Sequence, residues 1–443
     1  MRSPCARQLC LVGGAALVVH AAWAAALADR HPRFDETAYI AHAEQLARGA
    51  GFVDAGGLPA TYWPVGYPAA LALAYRVGGE GYPAAASLNV IAASVTAMLT
   101  YLCAVTHFGR AVGVIAGLVV AIYPNHVFYT SLHLTEPLFT LLLLAAAWCL
   151  LRSGPRTRPF LLAAGLLFGV ATLIRPAIAL FPLALPIWFR QRATPARAAL
   201  GHAGIVIGTM VLVVMPWVVR NHRVSGHWEL ASSGGHNFWI GNNPKALGGY
   251  VHDRATNAAL SSGGTREFSR GYRLGLQTIA NDPARAALRC LQKVSYFVAL
   301  ETDGLLWNVK GLERPWPMWV LASALSVANA AYVVVFGAWL LGAVVGRRPA
   351  LTSLSLLLAA YLALIVLVFL GDPRYHYPLV PLAAIVGTAT VLRDGRELWR
   401  GRRALPRPAR IRVLRWAAAM CLVAVLAGAN LYLKSLEASV FSP

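Results

Sequence analysis

The chain is 443 residues long, 58% apolar and only 13% charged, with 39 Lys and Arg against 18 Asp and Glu for a net charge of +21. A soluble enzyme carries about 25% charged residues, so that class is excluded. Several apolar runs of roughly 20 residues, each able to cross about 30 Å of hydrocarbon as helix, indicate a polytopic membrane protein. The runs lack the alternation of barrel strands, which leaves helices as the spanning form.

In chain order, spans are predicted at 9–28, 86–106, 112–129, 134–151, 160–174, 177–189, 200–219, 316–345, 350–370, 378–392 and 413–434. The expected fold is an all-α polytopic membrane protein of about 11 transmembrane helices. With the N-terminus in the cytoplasm, 20 basic residues fall inside and 19 outside, but 12 of the outer ones lie in the long loop 220–315. Orientation is set by short segments, and these divide 20 to 7. The basicity is therefore a topology signal and calls for no nucleic-acid partner. Its densest stretch, Arg393–Trp416, also suits anionic membrane lipids.

Residues 1–28 are read as a retained span, with a cleaved signal peptide ending near "AWAAALAD" as the alternative. The stretch "YPAALALAYRV" (Tyr67–Val77) would span only about 16 Å as helix, so an interfacial or re-entrant outer helix is expected. The chain divides into an N-terminal membrane module, 1–219, with an outer loop at 29–85; an outer region, 220–315; and a C-terminal membrane module, 316–443. The outer region is expected to be soluble and mixed in structure, with Gly/Asn-rich turns in "SSGGHNFWIGNNPKALGGY" (Ser232–Tyr250) and helix after them. Five of the six cysteines lie in or near spans, which leaves only Cys290 in the outer loop and no disulfide framework. There is no internal repeat.

Sixteen of the 18 carboxylates fall on the outer side, and any acid–base chemistry is expected there. Asp35, Glu36, Glu136 and Asp372 lie at the predicted membrane surface. Asp35 opens a short helix to about Arg48, with Tyr39 and His42 on roughly the same face; it is either a cap for free N–H groups or a reactive carboxylate. Glu136, followed by Pro137, reads as a first-turn glutamate or an active-site acid. His126 and His133 lie nearby, and a metal site with a carboxylate is one reading of them. Arg175, Arg220 and Arg374 stand at outer rims of apolar segments, where an ionisable side chain suggests function. A guanidinium fork suits phosphate oxygens; snorkelling or pairing with Glu136 or Asp372 is the alternative.

Asp35-Glu36 with Tyr39, then "YWPVGYPAALALAY", then "FGRAVGVIAGLVVAIYPNHVFYTSLHLTEPLF", "SSGGHNFWIGNNPKALGGY" and "RYHYPLVP", taken in this order, resemble the bacterial GT-C glycosyltransferases, related to protein O-mannosyltransferases and the aminoarabinose transferase of lipid A. The resemblance covers nearly the whole chain. It implies a multi-pass enzyme of the bacterial inner membrane that moves a sugar from a polyprenyl-phosphate donor to a lipid, glycan or protein acceptor on the extracytoplasmic face. Asp35 then matches the family's general base, Glu36 is its neighbour in the acidic pair, and Glu136 matches the acid of the second outer loop. One position departs from the aminoarabinose branch: where that branch has a lysine, this chain has Trp63. The donor phosphate then falls to Arg175, Arg220 or Arg374.

The chemistry follows. A polyprenyl phosphate leaves readily if fixed cations meet its developing charge, and a carboxylate that takes the acceptor's proton contributes roughly 10²–10⁴-fold. One base and a phosphate clamp suffice, so displacement from one face predicts inversion. Tyr39, Tyr62, Trp63 and Tyr375 complete the expected substrate site, with the helix at Tyr67–Val77 as a wall for the prenyl chain. No cofactor is required, although a divalent ion between the carboxylates is left open. A transporter or flippase for an anionic lipid or solute is the alternative; such proteins place ionisable groups near the bilayer midplane, commonly with internal symmetry.

Overall fold

The computed structural model describes residues 5–54, 56–152, 157–250, 266–314, 316–345 and 349–394. The expected span at 413–434, the basic stretch after Asp394, and Cys421 lie outside these residues. Among the described residues every regular element is helical, and one isolated bridge, Val53 to Pro59, is the only extended pairing. The helices are α1 (Ala6–Ala26), α2 (Asp35–Ala47), α3 (Gly66–Gly78), α4 (Tyr82–Phe108), α5 (Arg110–Ile122), α6 (Pro124–Phe128), α7 (Glu136–Arg152), α8 (Thr157–Ile174) and α9 (Leu185–Gln191). There follow α10 (Ala196–Ser225), α11 (Ser233–Asn242), α12 (Arg266–Asn281), α13 (Pro283–Phe297), α14 (Asp303–Lys310), α15 (Met318–Val345), α16 (Pro349–Val368) and α17 (Val380–Ala389).

Among the described residues six segments are long and apolar enough to span a membrane: α1, α4, α10, Met318–Ala343, Ala350–Val368 and Pro373–Leu392. They become seven if α5 and the segment Pro124–Ser131, bent by 49°, form one broken span. The predicted span at 177–189 is not one helix. Pro176, Pro182 and Pro186 each lack the N–H that a continuing helix needs, and the chain answers with two short 3₁₀ turns, Pro176–Ile178 and Phe181–Ala184, before α9.

The membrane helices close on small residues. A Cβ at Gly117 of α5 would sit 2.9 Å from Val12 of α1, and one at Gly165 or Gly169 of α8 would sit 2.6 Å from Thr209 or Val213 of α10. Both helices carry glycines four apart. That spacing lets backbones approach within lipid, where no hydrophobic effect drives helices together.

At one end of the bundle α2 packs on α3, and α3 packs on α4 and α8. Helix α3 has 13 residues and exposes Leu73 and Val77. The described part of the outer region is helical rather than mixed, and it is stitched to the bundle. Asn308 of α14, fully buried, donates to the Phe128 carbonyl at 2.8 Å and accepts from Ser131 Oγ at 2.6 Å. The Gly311 carbonyl accepts from the His31 N–H at 2.8 Å. Lys293 of α13 caps the last turn of α16, donating to the Leu367 carbonyl at 3.1 Å and to Asn242 Oδ1 at 2.9 Å. Burial pulls that ammonium down to about 8. His376 Nδ1 donates to the Phe297 carbonyl at 2.7 Å, and its Nε2 lies 3.2 Å from buried Glu301. These contacts fix the turn that carries Asp372 and Arg374.

Candidate active site

The loop after α1 turns into α2 at Phe34, whose φ of 53° is a left-handed conformation that a bulky residue rarely adopts. The N-cap position belongs to Phe34, and no side chain caps the helix. Asp35 is thus not the cap that its position suggested. Its carboxylate, a third exposed, instead lies 3.5 Å from Nη1 of Arg374. Arg374 is held from behind: its Nε is 3.2 Å from Asp372 Oδ2, and its backbone N–H donates to Asp372 Oδ1 at 2.8 Å. Burial pushes the Asp35 carboxyl above the ordinary aspartate range; Arg374 opposes this, and the nearby charges of Glu136 and Asp372 add to it.

A second pair lies beside the first. Glu136 begins α7 and Arg175 directly follows the neighbouring α8, so the antiparallel hairpin brings the two together at 3.1 Å. The Glu136 side chain is buried, and the guanidinium sits 5.7 Å from the ring centroids of both Phe139 and Tyr375. Tyr39, one turn after Asp35, packs its ring 5.1 Å from Trp63 and 5.4 Å from Tyr67. Burial and the charge of Asp35 push its phenol far up. Tyr62 extends the aromatic row, 5.1 Å from Trp63 and 5.9 Å from His236. Asp35, Glu136, Arg175, Arg374, Tyr39, Trp63 and Tyr375 therefore meet in one cluster at the end of the bundle, with Tyr62 at its edge.

Four of the expected residues stand elsewhere. Glu36 points away from Asp35 into a fully buried ion pair with Arg30, which approaches both carboxylate oxygens. The backbone N–H groups of Arg33 and His133 add donors at 3.1 and 2.8 Å. Burial alone would raise this carboxyl, but the bonds from His133 and Arg30 hold it at about 2. With its oxygens so occupied, Glu36 is structural. Arg220 is also apart from the cluster: it donates to the carbonyls of Ala60 and Phe52 and lies 4.8 Å from the Trp217 ring centroid. It supports the loop before Tyr62 rather than facing Asp35. His133 binds Glu36, whereas His126 stacks on Tyr377 at 4.3 Å. Among the described residues no group of three or more His, Cys, Asp or Glu side chains is placed to hold a metal ion.

Two contributors had no sequence signal. Arg30 lies in a loop without periodicity, and Trp307 comes from α14, far along the chain. The Trp307 ring centroid is 5.2 Å from the Arg374 guanidinium carbon and 5.3 Å from that of Phe34.

Residues 63–219, from Trp63 of the aromatic row into α10, match the family model of dolichyl-phosphate-mannose-protein mannosyltransferases. The archaeal oligosaccharyltransferase AglB from Archaeoglobus fulgidus, solved with an inhibitory peptide and a dolichol-phosphate, has a similar structure. The TM-score is 0.50 at 15% identity, over 96% of this chain and 56% of that one. The chain has the GT-C fold. The Archaeoglobus fulgidus oligosaccharyltransferase tethered to an acceptor peptide containing the NVT sequon gives the same TM-score of 0.50 at 15% identity, over 96% and 55% of the two chains. ArnT from Cupriavidus metallidurans bound to undecaprenyl phosphate is 16% identical over 90% of this chain and 81% of that one, with a TM-score of 0.43. This GT-C chain spans little more than half the length of the archaeal enzyme it matches. Among curated proteins none matches the sequence.

Proposed function

We propose that the chain is a membrane glycosyltransferase that moves a sugar from a polyprenyl-phosphate donor to a lipid, glycan or protein hydroxyl at the extracytoplasmic face of a bacterial inner membrane. The observation that carries this reading is the placement of Asp35. It is a partly exposed carboxylate beside the aromatically backed Arg374, with the Glu136–Arg175 pair in the same cluster, at one end of a GT-C bundle. The matched family acts on a dolichyl-phosphate-linked sugar, as its name states, and the skewed distribution of short basic segments supports the sidedness.

In this reading the acceptor oxygen attacks the anomeric carbon while Asp35 takes its proton. The bond from that carbon to the phosphate oxygen breaks on the opposite face, and the configuration inverts. The leaving polyprenyl phosphate gains negative charge, which Arg374 and Arg175 meet in a site already shaped for it. A carboxyl raised above its ordinary range is the better base near neutral pH. Glu136 keeps Arg175 in place, Tyr39 and Trp63 line the donor side, and the exposed apolar face of α3 accommodates the prenyl chain.

The test is incubation of the purified protein in lipid nanodiscs with a panel of polyprenyl-phosphate sugars. Transfer or sugar release by the parent and its loss in Asp35→Asn, by about 10²–10⁴-fold, is expected. Full activity in Asp35→Asn overturns the assignment.

A further inference from the structure

The site holds two arginines in different ways. Arg175 lies between two rings and a buried glutamate, whereas Arg374 depends on groups from three separate parts of the chain. Its Nε is taken by Asp372 at 3.2 Å. One face lies over Trp307, whose ring centroid is 5.2 Å away. Its Nη1 stands 3.5 Å from Asp35, longer than the roughly 2.7–2.9 Å of a full charge-assisted hydrogen bond. The far edge of the guanidinium is thus aimed at the base without being consumed by it.

Trp307 is not free to drift. Its neighbour Asn308 is fully buried and bonded to Phe128 and Ser131, and its ring packs on Phe34, the residue before the base. A free arginine side chain samples many rotamers, and a cation placed in advance avoids losing that freedom when an anion arrives.

We infer that Trp307 and Asp372 are positioning residues that hold Arg374 as the one cation shared by Asp35 and the donor phosphate, an inference that rests on the transferase reading above. The outer region is then part of the active site and not only a domain beside it. Asp372 fixes the direction of the guanidinium, and Trp307 fixes its plane through a cation–π contact. The two act through Arg374 and touch no reacting atom.

The probe is undecaprenyl phosphate, titrated against the full chain in nanodiscs. Trp307→Leu keeps apolar bulk without the aromatic face, and Trp307→Phe keeps the face. Loss of a cation–π contact predicts affinity about three- to thirtyfold weaker in Trp307→Leu, largely restored in Trp307→Phe, with equal melting temperatures for the two. Asp372→Ala is expected to weaken binding in the same direction. Parental affinity in Trp307→Leu, or equal losses in the Leu and Phe variants, would make Trp307 a packing residue and overturn the inference. Arg374→Ala separates the two levels of the argument: parental affinity there removes the phosphate role of Arg374 itself. Lost affinity there beside a parental Trp307→Leu removes only the role of Trp307.

Discussion

The carboxylates of Asp35 and Glu36, adjacent in the chain, face opposite partners: Asp35 lies 3.5 Å from Arg374 in the open cluster, whereas Glu36 closes a buried pair with Arg30. One peptide bond separates a candidate base from a structural anchor. The helix geometry explains the division, since neighbouring positions project about 100° apart. Different tests therefore apply to the two acids.

For Asp35 the expected outcome is a pH effect. Its carboxyl is raised, so transfer falls as pH drops through a midpoint above the ordinary aspartate range, and Arg374→Gln moves that limb to still higher pH by removing the opposing cation. The limb is read from kcat/KM against pH. A raised acid also costs stability when ionised, a cost present at neutral pH and relieved as pH falls. Asp35→Asn should accordingly melt at or above the parental temperature at pH 7. A clear drop would mean that Asp35 supports the fold.

For Glu36 the sign is reversed. Its carboxyl is held at about 2, below the usual 4.5. Its contribution is complete above about pH 4.5 and drains away as pH falls towards 2. Glu36→Gln should cost about 3–5 kcal/mol by leaving Arg30 buried without its partner, measured as a lowered melting temperature at pH 7. The double change Arg30→Met with Glu36→Leu should recover much of that loss.

The Glu136–Arg175 pair allows stability to be separated from binding. Arg175→Met alone leaves a buried carboxylate uncompensated and should destabilise strongly. Adding Glu136→Gln should restore the melting temperature but not affinity for undecaprenyl phosphate. Recovery of both would show that Arg175 serves only the fold.

Arg220 gives the contrasting case. Arg220→Ala removes donors from the Ala60 and Phe52 carbonyls, so hydrogen exchange should quicken across 52–62. Affinity for undecaprenyl phosphate should stay close to the parental value; a large fall would return Arg220 to the phosphate cradle.

Much of the site could be read from rim positions alone. Asp35, Glu136, Arg175 and Arg374 all sit where a span meets the surface, and alternating topology puts such residues at one end. Arg220 occupies the same kind of place, yet its partners are backbone carbonyls of an irregular loop, which leave no mark in side-chain spacing. Glu36 misled because its partner Arg30 precedes the helix, outside any helical period. The broken stretch at 177–189 was apolar enough to span, and only Pro176, Pro182 and Pro186 argued otherwise. Trp307 was beyond reach: nothing local distinguishes it, and its importance arises from where α14 docks.

Phe34 carries one more consequence. Holding a bulky residue at φ 53° costs on the order of 1–3 kcal/mol, and that tension sits in the residue before Asp35. Glycine at this position would release it, and it would also unlock the hinge that aims Asp35 and remove the ring on which Trp307 rests. A tougher protein made in this way would be a poorer catalyst. Engineers who select for heat resistance alone should expect to meet position 34 early and to lose turnover there.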